Sequence, residues 1–227
     1  MDVVKTWVMG GSPNSIGAAI AEAVVSEGVD HLVFATTKEE LDCRNWSDMA
    51  DWAKEYGPFD RAVFAAGVGH LSYIDLEEQD MVRDVFNVNV NGFIGMLQAL
   101  TSIQDYGNIL AIVSDASRTP MRTSWAYCAS KAALEMAVRC AARELAPWRI
   151  NGLSPSTVEG TDMTRHNDFV IPLKRGWSPR EARQYEMSMV PMKRRVTREE
   201  VAQAAIDILN GPEFMSGNIT FLTGGKS

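Results

Sequence analysis

In the stretch WAYCASKAALEMAVRCAARELA, Tyr127 and Lys131 stand four residues apart. On a helix that spacing puts a phenol and an ammonium one turn apart on one face. A free tyrosine has a pKa near 10, roughly three units too high for easy proton exchange at neutral pH. A neighbouring lysine cation favours the phenolate and moves that value toward the working range. The same spacing also suits an unrelated surface Tyr and Lys, so the surroundings must decide. One neighbour is Ser114, which closes the apolar run NILAIV thirteen residues earlier, since 127 − 114 = 13.

A second chemical stretch is WVMGGSPNSIGAAIAEAV, residues 7–24. An apolar run enters a glycine turn, and a small-residue helix follows. Dinucleotide loops use three glycines, for close backbone approach to a pyrophosphate and for tight helix packing. Gly11 and Gly17 occupy two of those places, and Ser15 stands in the third. The terminal GGKS does not make a Walker A loop, because Thr220 stands five positions before Gly225 and no helix can follow.

These residues need a scaffold. Apolar runs rich in β-branched residues predict strands at Val3–Met9, His31–Thr36, Arg61–Ala65, Asn108–Val113, Ile150–Ser154 and Ile219–Leu222. Helical patterns cover Ser15–Glu27, Trp46–Tyr56, Met81–Ile103, Trp125–Leu145 and Arg198–Leu209. The alternation predicts an α/β fold: a doubly wound, Rossmann-type parallel sheet with helices on both faces. One connection is abnormal, because LDC at residues 41–43 follows the second strand too soon for a crossover helix. LDC is therefore a loop or a very short strand, or the sheet edge is shortened and remodelled after strand two. Residues 163–195 read as a partly helical flap over a site. With no repeat or low-complexity linker, residues 1–227 are expected to form a single dinucleotide-binding and catalytic domain.

With 227 residues, 46% hydrophobic, the chain suits one soluble domain. Its net charge of −7 argues against nucleic acid or an anionic membrane as partner. MDVVKTWVMGG reads as a strand entering a turn, unlike a signal peptide, and no stretch is apolar enough to span a bilayer. Cys43, Cys128 and Cys140 lack metal-ligand spacing and read as free thiols of a cytoplasmic protein. His31, His70 and His166 are scattered, so no metal is expected.

Taken together, Ser114, Tyr127 and Lys131 resemble the active site of the short-chain dehydrogenase/reductase family. Its helix Asn is matched by VNVNG, which assigns Asn89; its strand-four Asn-Ala-Gly is matched loosely by FAAG, Phe64–Gly67, with Asp60 ahead. SPSTVEGTDM resembles its Pro-Gly turn with Ser156 in place of glycine, and SGNITFLTGG its final strand, with Thr223 where Asp is usual. The resemblance runs from about Val3 to Gly225.

It implies Tyr127 as general acid or base, Ser114 as donor to the reacting oxygen, and Lys131 as holder of the nicotinamide ribose that lowers the Tyr127 pKa. Asn89 would position a water. Gly11, Ser15, Ile16 and Gly17 would line the pyrophosphate, Ala66 and Gly67 the cofactor, Asp42 the adenine amino group and Thr161 the carboxamide. Ser15 and Ser156 are expected to cost about 1 kcal/mol each if they inherit a glycine's positive φ, in a loop adjusted rather than dead.

ATTKEE ends strand two with no acid at Thr36 or Thr37, so Thr37 and Lys38 point to NADP(H) over NAD(H), the alternative being that Lys38 is a solvated loop charge. The substrate is a small molecule. Trp125, Met121, Met163, Phe169 and Met187 are candidates for its pocket or for core packing; Arg118 and Arg122 for surface charge or an anionic substrate. The implied activity is NAD(P)(H)-dependent hydride transfer between nicotinamide and a carbonyl or alcohol, in a homodimer or homotetramer. The rivals are an enoyl reductase, disfavoured by Leu134 where a wider Tyr–Lys spacing would put lysine, and a non-catalytic dinucleotide-binding regulator.

Overall fold

The computed structural model describes residues 3–28 and 30–226; the terminal Ser227 of GGKS lies outside them. Its strands are β1 (Val4–Met9), β2 (His31–Thr36), β3 (Arg61–Phe64), β4 (Asn108–Ile112), β5 (Arg149–Pro155) and β6 (Ile219–Leu222). All pair in parallel in the order β2-β1-β3-β4-β5-β6. The chain leaves β1 for β2 on one side and returns to β3 on the other. That reversal opens a crevice at the carboxyl ends of β1 and β3, where α/β sheets take their ligands.

The helices are α1 (Ile16–Ser26), α2 (Trp46–Tyr56), α3 (Gln79–Phe86), α4 (Gly92–Thr101), α5 (Trp125–Glu144), α6 (Asp162–Arg175), α7 (Pro179–Met189) and α8 (Arg198–Leu209). Strand periodicity splits the core between the two sheet faces. Trp7 and Met9 of β1 join Phe64, Met96 and Leu134 beneath α2, α4 and α5. Val8, between them, faces Ile20, Val24 and Val201 beneath α1 and α8.

The single helix expected over Met81–Ile103 is instead α3 and α4 joined by a π-helical turn at Asn87–Asn91. The segment expected to be a partly helical flap contains two full helices. Ser178 caps α7 in a reciprocal pair with Glu181, with Pro179 in its first turn, where a missing N–H costs nothing.

LDC is loop. Leu41 and Cys43 are buried in the core while Asp42, between them, points outward. Too few residues separate β2 from LDC for a crossover, so α2 itself carries the chain from β2 across β1 to β3. An aromatic cluster closes this shortened edge. Trp52 of α2 lies 4.6 Å from Trp7 and stacks on Phe59 at 5.4 Å, and Phe34 of β2 meets Phe59 edge-on at 5.6 Å. Such pairs add to the burial of large apolar area.

Candidate active site

The loop after β1 is built for close backbone approach. Gly10 has φ +92°, and a Cβ there would sit 2.7 Å from the Ala66 nitrogen. A Cβ on Gly17 would collide with the Gly10 carbonyl oxygen, so that glycine lets α1 seat against the loop. Ser15 does not inherit a glycine conformation. Its φ is −88°, so the expected strain is absent. It is the N-cap of α1: its Oγ accepts from the Ala18 N–H at 3.0 Å and donates to the Gly10 carbonyl at 2.9 Å. Ser156 likewise is not among the positive-φ residues described. The first-turn N–H groups of Ile16 and Gly17 have no acceptor within α1 and favour an anion at this helix end.

Beside the loop, the carboxyl end of β4 delivers Ser114 and α5 delivers Tyr127 and Lys131. Ser114 caps a short turn by accepting from the Ala116 N–H, its hydroxyl turns toward Asp115 Oδ1 at 3.5 Å, and it stands near enough to the Tyr127 phenol to favour the ionised form. The Lys131 Nζ donates to the Ile112 carbonyl at 2.9 Å and lies 5.9 Å from the centroid of the Tyr127 ring. Burial pushes Lys131 down to about 8. Burial also pushes the Tyr127 phenol up to about 12; Ser114 opposes this and the charge of Asp115 adds to it. The expected lowering of the phenol by Lys131 is therefore not found. The lysine rests on a backbone carbonyl, and Asp115 and Cys128 raise the phenol further.

Asn89 sits fully buried in the π turn. Its Nδ2 donates to the Val68 carbonyl and to Ser130 Oγ, both at 2.9 Å, while Oδ1 accepts from the Val68 N–H at 2.8 Å. One amide donor thus clamps the loop after β3 and the other ties the turn to α5, so both are spent, as burial of a polar group requires. Only a lone pair on Oδ1 is left for the water it was expected to position.

These residues share the wall of a cavity of about 1070 Å³. Ser15, Ile16, Thr37, Asp42, Ala66, Gly67, Ser114, Tyr127, Lys131 and Thr161 all line it. Gly11, Gly17 and Asn89 stand behind the lining. Asp42 reaches the cavity with its carboxylate already gripped by Arg44, which bridges on to Asp84 of α3 at 2.7 Å. That ion pair holds the carboxylate at the cavity wall. Thr161 caps α6 by accepting from the Thr164 N–H. Of the apolar candidates, Met121 and Met163 line the cavity. Trp125, Phe169 and Met187 are not in its wall, and Phe169 is 70% exposed.

Three features escaped the sequence reading. Gly10, the first of the GG doublet, takes the strained turn. Asp115, directly after Ser114, forms a buried pair with Lys226 at 2.7 Å, and only the return of the chain end creates it. Arg195, 6% exposed, binds Glu186 and Asp168 at 2.9 Å each and approaches Glu159 at 3.6 Å, pinning α6 and α7 to the turn after β5. The KRRV run was the one available signal for it.

A family model described as enoyl-(acyl carrier protein) reductase matches residues 40–227. The chain is 36% identical over 111 residues to the vibriobactin-specific 2,3-dihydro-2,3-dihydroxybenzoate dehydrogenase of Vibrio cholerae, covering 47% of this chain and 42% of that protein. It is 33% identical over 169 residues to an L-xylulose reductase of Caenorhabditis elegans, covering 72% of this chain and 63% of the relative. Each of these two alignments spans less than two thirds of the relative's length. A solved structure of a short chain dehydrogenase family protein from Francisella tularensis superposes with a TM-score of 0.87 at 26% identity, covering 99% of this chain and 98% of that one. Among the described residues, no helix is long and apolar enough to cross a membrane.

Proposed function

The chain belongs to the short-chain dehydrogenase/reductase family, and we propose that it is an NAD(P)(H)-dependent oxidoreductase acting as a carbonyl reductase. One observation carries this reading. Ser114, Tyr127 and Lys131 meet on one stretch of the cavity wall, with Lys131 one turn along α5 from Tyr127, and that wall also holds the glycine loop. A bound nicotinamide would supply the hydride in reduction or accept it in oxidation.

The residues present fit such a cofactor. The Gly10 turn has no room for a Cβ against Ala66, and the N-terminus of α1 faces the same cavity. Gly10, Gly11 and residues 15–17 would hold the pyrophosphate, Ala66 and Gly67 the middle of the dinucleotide, Lys131 the ribose and Thr161 the carboxamide. Ser114 donates to the carbonyl oxygen as it gains charge, and Tyr127 gives that oxygen its proton. A phenol pushed up to about 12 stays protonated at neutral pH, the state a general acid needs in the reductive direction. Asn89 keeps the wall in place through Val68.

For the cofactor we favour NADP(H) over NAD(H). Lys38 lines the cavity beside Thr37 and makes no ion pair among the described residues, whereas Asp42 and Asp84 are neutralised by Arg44. Glu40 accepts from the Thr37 N–H, and neither it nor Glu39 is in the lining. Helices α6 and α7 would act as the flap of a single catalytic domain. Met136, 60% exposed on α5, suits a homodimer or homotetramer joined there. Free thiols at Cys43, Cys128 and Cys140 suit the cytoplasm.

The matching family model carries an enoyl-reductase description. The four-residue Tyr127–Lys131 spacing and the fully buried Leu134 support carbonyl chemistry instead. The test is consumption of NADPH and NADH with a panel of small ketones and ketoses, in the wild type and in Tyr127→Phe. The variant should lose about 10²–10⁴-fold in kcat while binding cofactor with unchanged affinity. A regulator that binds without turnover would show cofactor binding, no consumption and no effect of the substitution.

A further inference from the structure

Charge along the substrate side of the cavity is nearly all matched within the protein. Asp115 is paired with Lys226, Asp162 with Arg165, Asp168 with Arg195, and Glu159 and Glu186 with Arg183 and Arg195. Arg118, one of the two arginines between Ser114 and Tyr127, is held by Glu135 and lies 4.2 Å over the Phe221 ring. Apart from Lys38 at the opposite end and Lys131, which donates to the Ile112 carbonyl, two lining cations remain. Arg122 and Arg175 have no carboxylate partner among the described residues, yet both line the cavity that holds Tyr127.

They are also held together. The Arg175 guanidinium lies 4.9 Å over the Trp177 ring and 5.7 Å from that of Tyr185, and donates to the Arg122 carbonyl at 3.4 Å. Arg122 lies 5.3 Å over the Tyr73 ring, and the Tyr73 hydroxyl donates to the Lys174 carbonyl at 3.0 Å. Stacking on an aromatic face fixes a guanidinium plane and leaves its N–H edge free for a planar, two-oxygen acceptor. The Arg175 Nε is buried and has no hydrogen-bond partner in the protein. The N-terminus of α7 is closed by the Ser178–Glu181 capping pair and offers them no backbone cradle for a phosphate.

We propose that Arg122 and Arg175 bind a carboxylate on the carbonyl substrate, so that the enzyme reduces oxo acids in preference to uncharged ketones. The proposal rests on the reductase reading for its chemistry, but its test does not depend on turnover. Cofactor-loaded protein is titrated calorimetrically with oxocyclohexane carboxylates, each beside its neutral carboxamide. The carboxylates should bind about 10- to 100-fold tighter, the range of a charge-assisted pair. Arg175→Gln and Arg122→Gln should each remove most of that preference without changing cofactor affinity, and Arg118→Gln should leave it intact. Equal affinity within each pair, no binding of either member, or a preference that survives in both variants overturns the proposal. If the preference holds but no carbonyl consumes reduced cofactor, the carboxylate site stands and the reductase reading falls.

Discussion

Replacing Ser15 by glycine restores the dinucleotide-loop pattern and asks what the serine does. If Ser15 were a blemish on a glycine loop, Ser15→Gly would relieve strain and tighten cofactor binding. The geometry requires the opposite. At φ −88° there is no strain to relieve. The substitution removes an N-cap, worth a few tenths of a kcal/mol against glycine. It also removes the donor to the Gly10 carbonyl, worth about 1 kcal/mol, and adds glycine's backbone entropy, about 0.5–1 kcal/mol. The sum is about 2 kcal/mol, or roughly 4–8 °C in Tm for a chain of this length. Ser15→Ala loses the same two bonds without the added entropy and should fall by a similar amount, because alanine caps poorly. Thermal melts with and without saturating NADPH measure both terms. A rise in Tm for Ser15→Gly, or a tenfold gain in cofactor affinity, would refute the account of Ser15 as a cap.

Other perturbations reach the rest of the site. With Lys131 at about 8 in the fold against an ordinary 10.5, the unfolded chain binds more protons between those values, so stability should rise with pH across that window. Urea unfolding at stepped pH should show the rise in the wild type and not in Lys131→Met, and reductive kcat/KM should fall above about pH 8. Asn89→Ala strands both polar groups of Val68 and should cost about 2–4 kcal/mol, read as a shift in urea midpoint. Arg195→Ala unpins α6 and α7 from Glu159, Asp168 and Glu186. It should raise the rate of proteolytic cleavage between those helices at least about tenfold, the equivalent of losing one charged hydrogen bond, and a digestion time course measures it.

Much of the protein is local, and local features were legible in its sequence. All six strands fall within a residue or two of their expected bounds, because fully buried parallel strands such as NILAIV carry an unbroken apolar signal. Ser114, Tyr127 and Lys131 were legible too, since strand end and helix turn turn sequence spacing into position. The π turn at Asn89 was not, because its apolar pattern reads the same through α3 and α4 and only hydrogen-bond register distinguishes it. Nor was the function of Ser15, whose two bonds need the loop already folded.

What tertiary structure alone decided is which charges meet. Arg44 reaches Asp84 across 40 residues, Asp115 finds Lys226 across 111 residues, and Arg195 gathers three acids from three segments. Arg118 and Arg122, alike in sequence, are parted only by the nearness of Glu135 to one of them. Chain patterns specify elements because burial and backbone geometry act over a few residues. Ion pairs act between side chains that folding brings together from far along the chain, so the electrostatics of this site exist only in three dimensions.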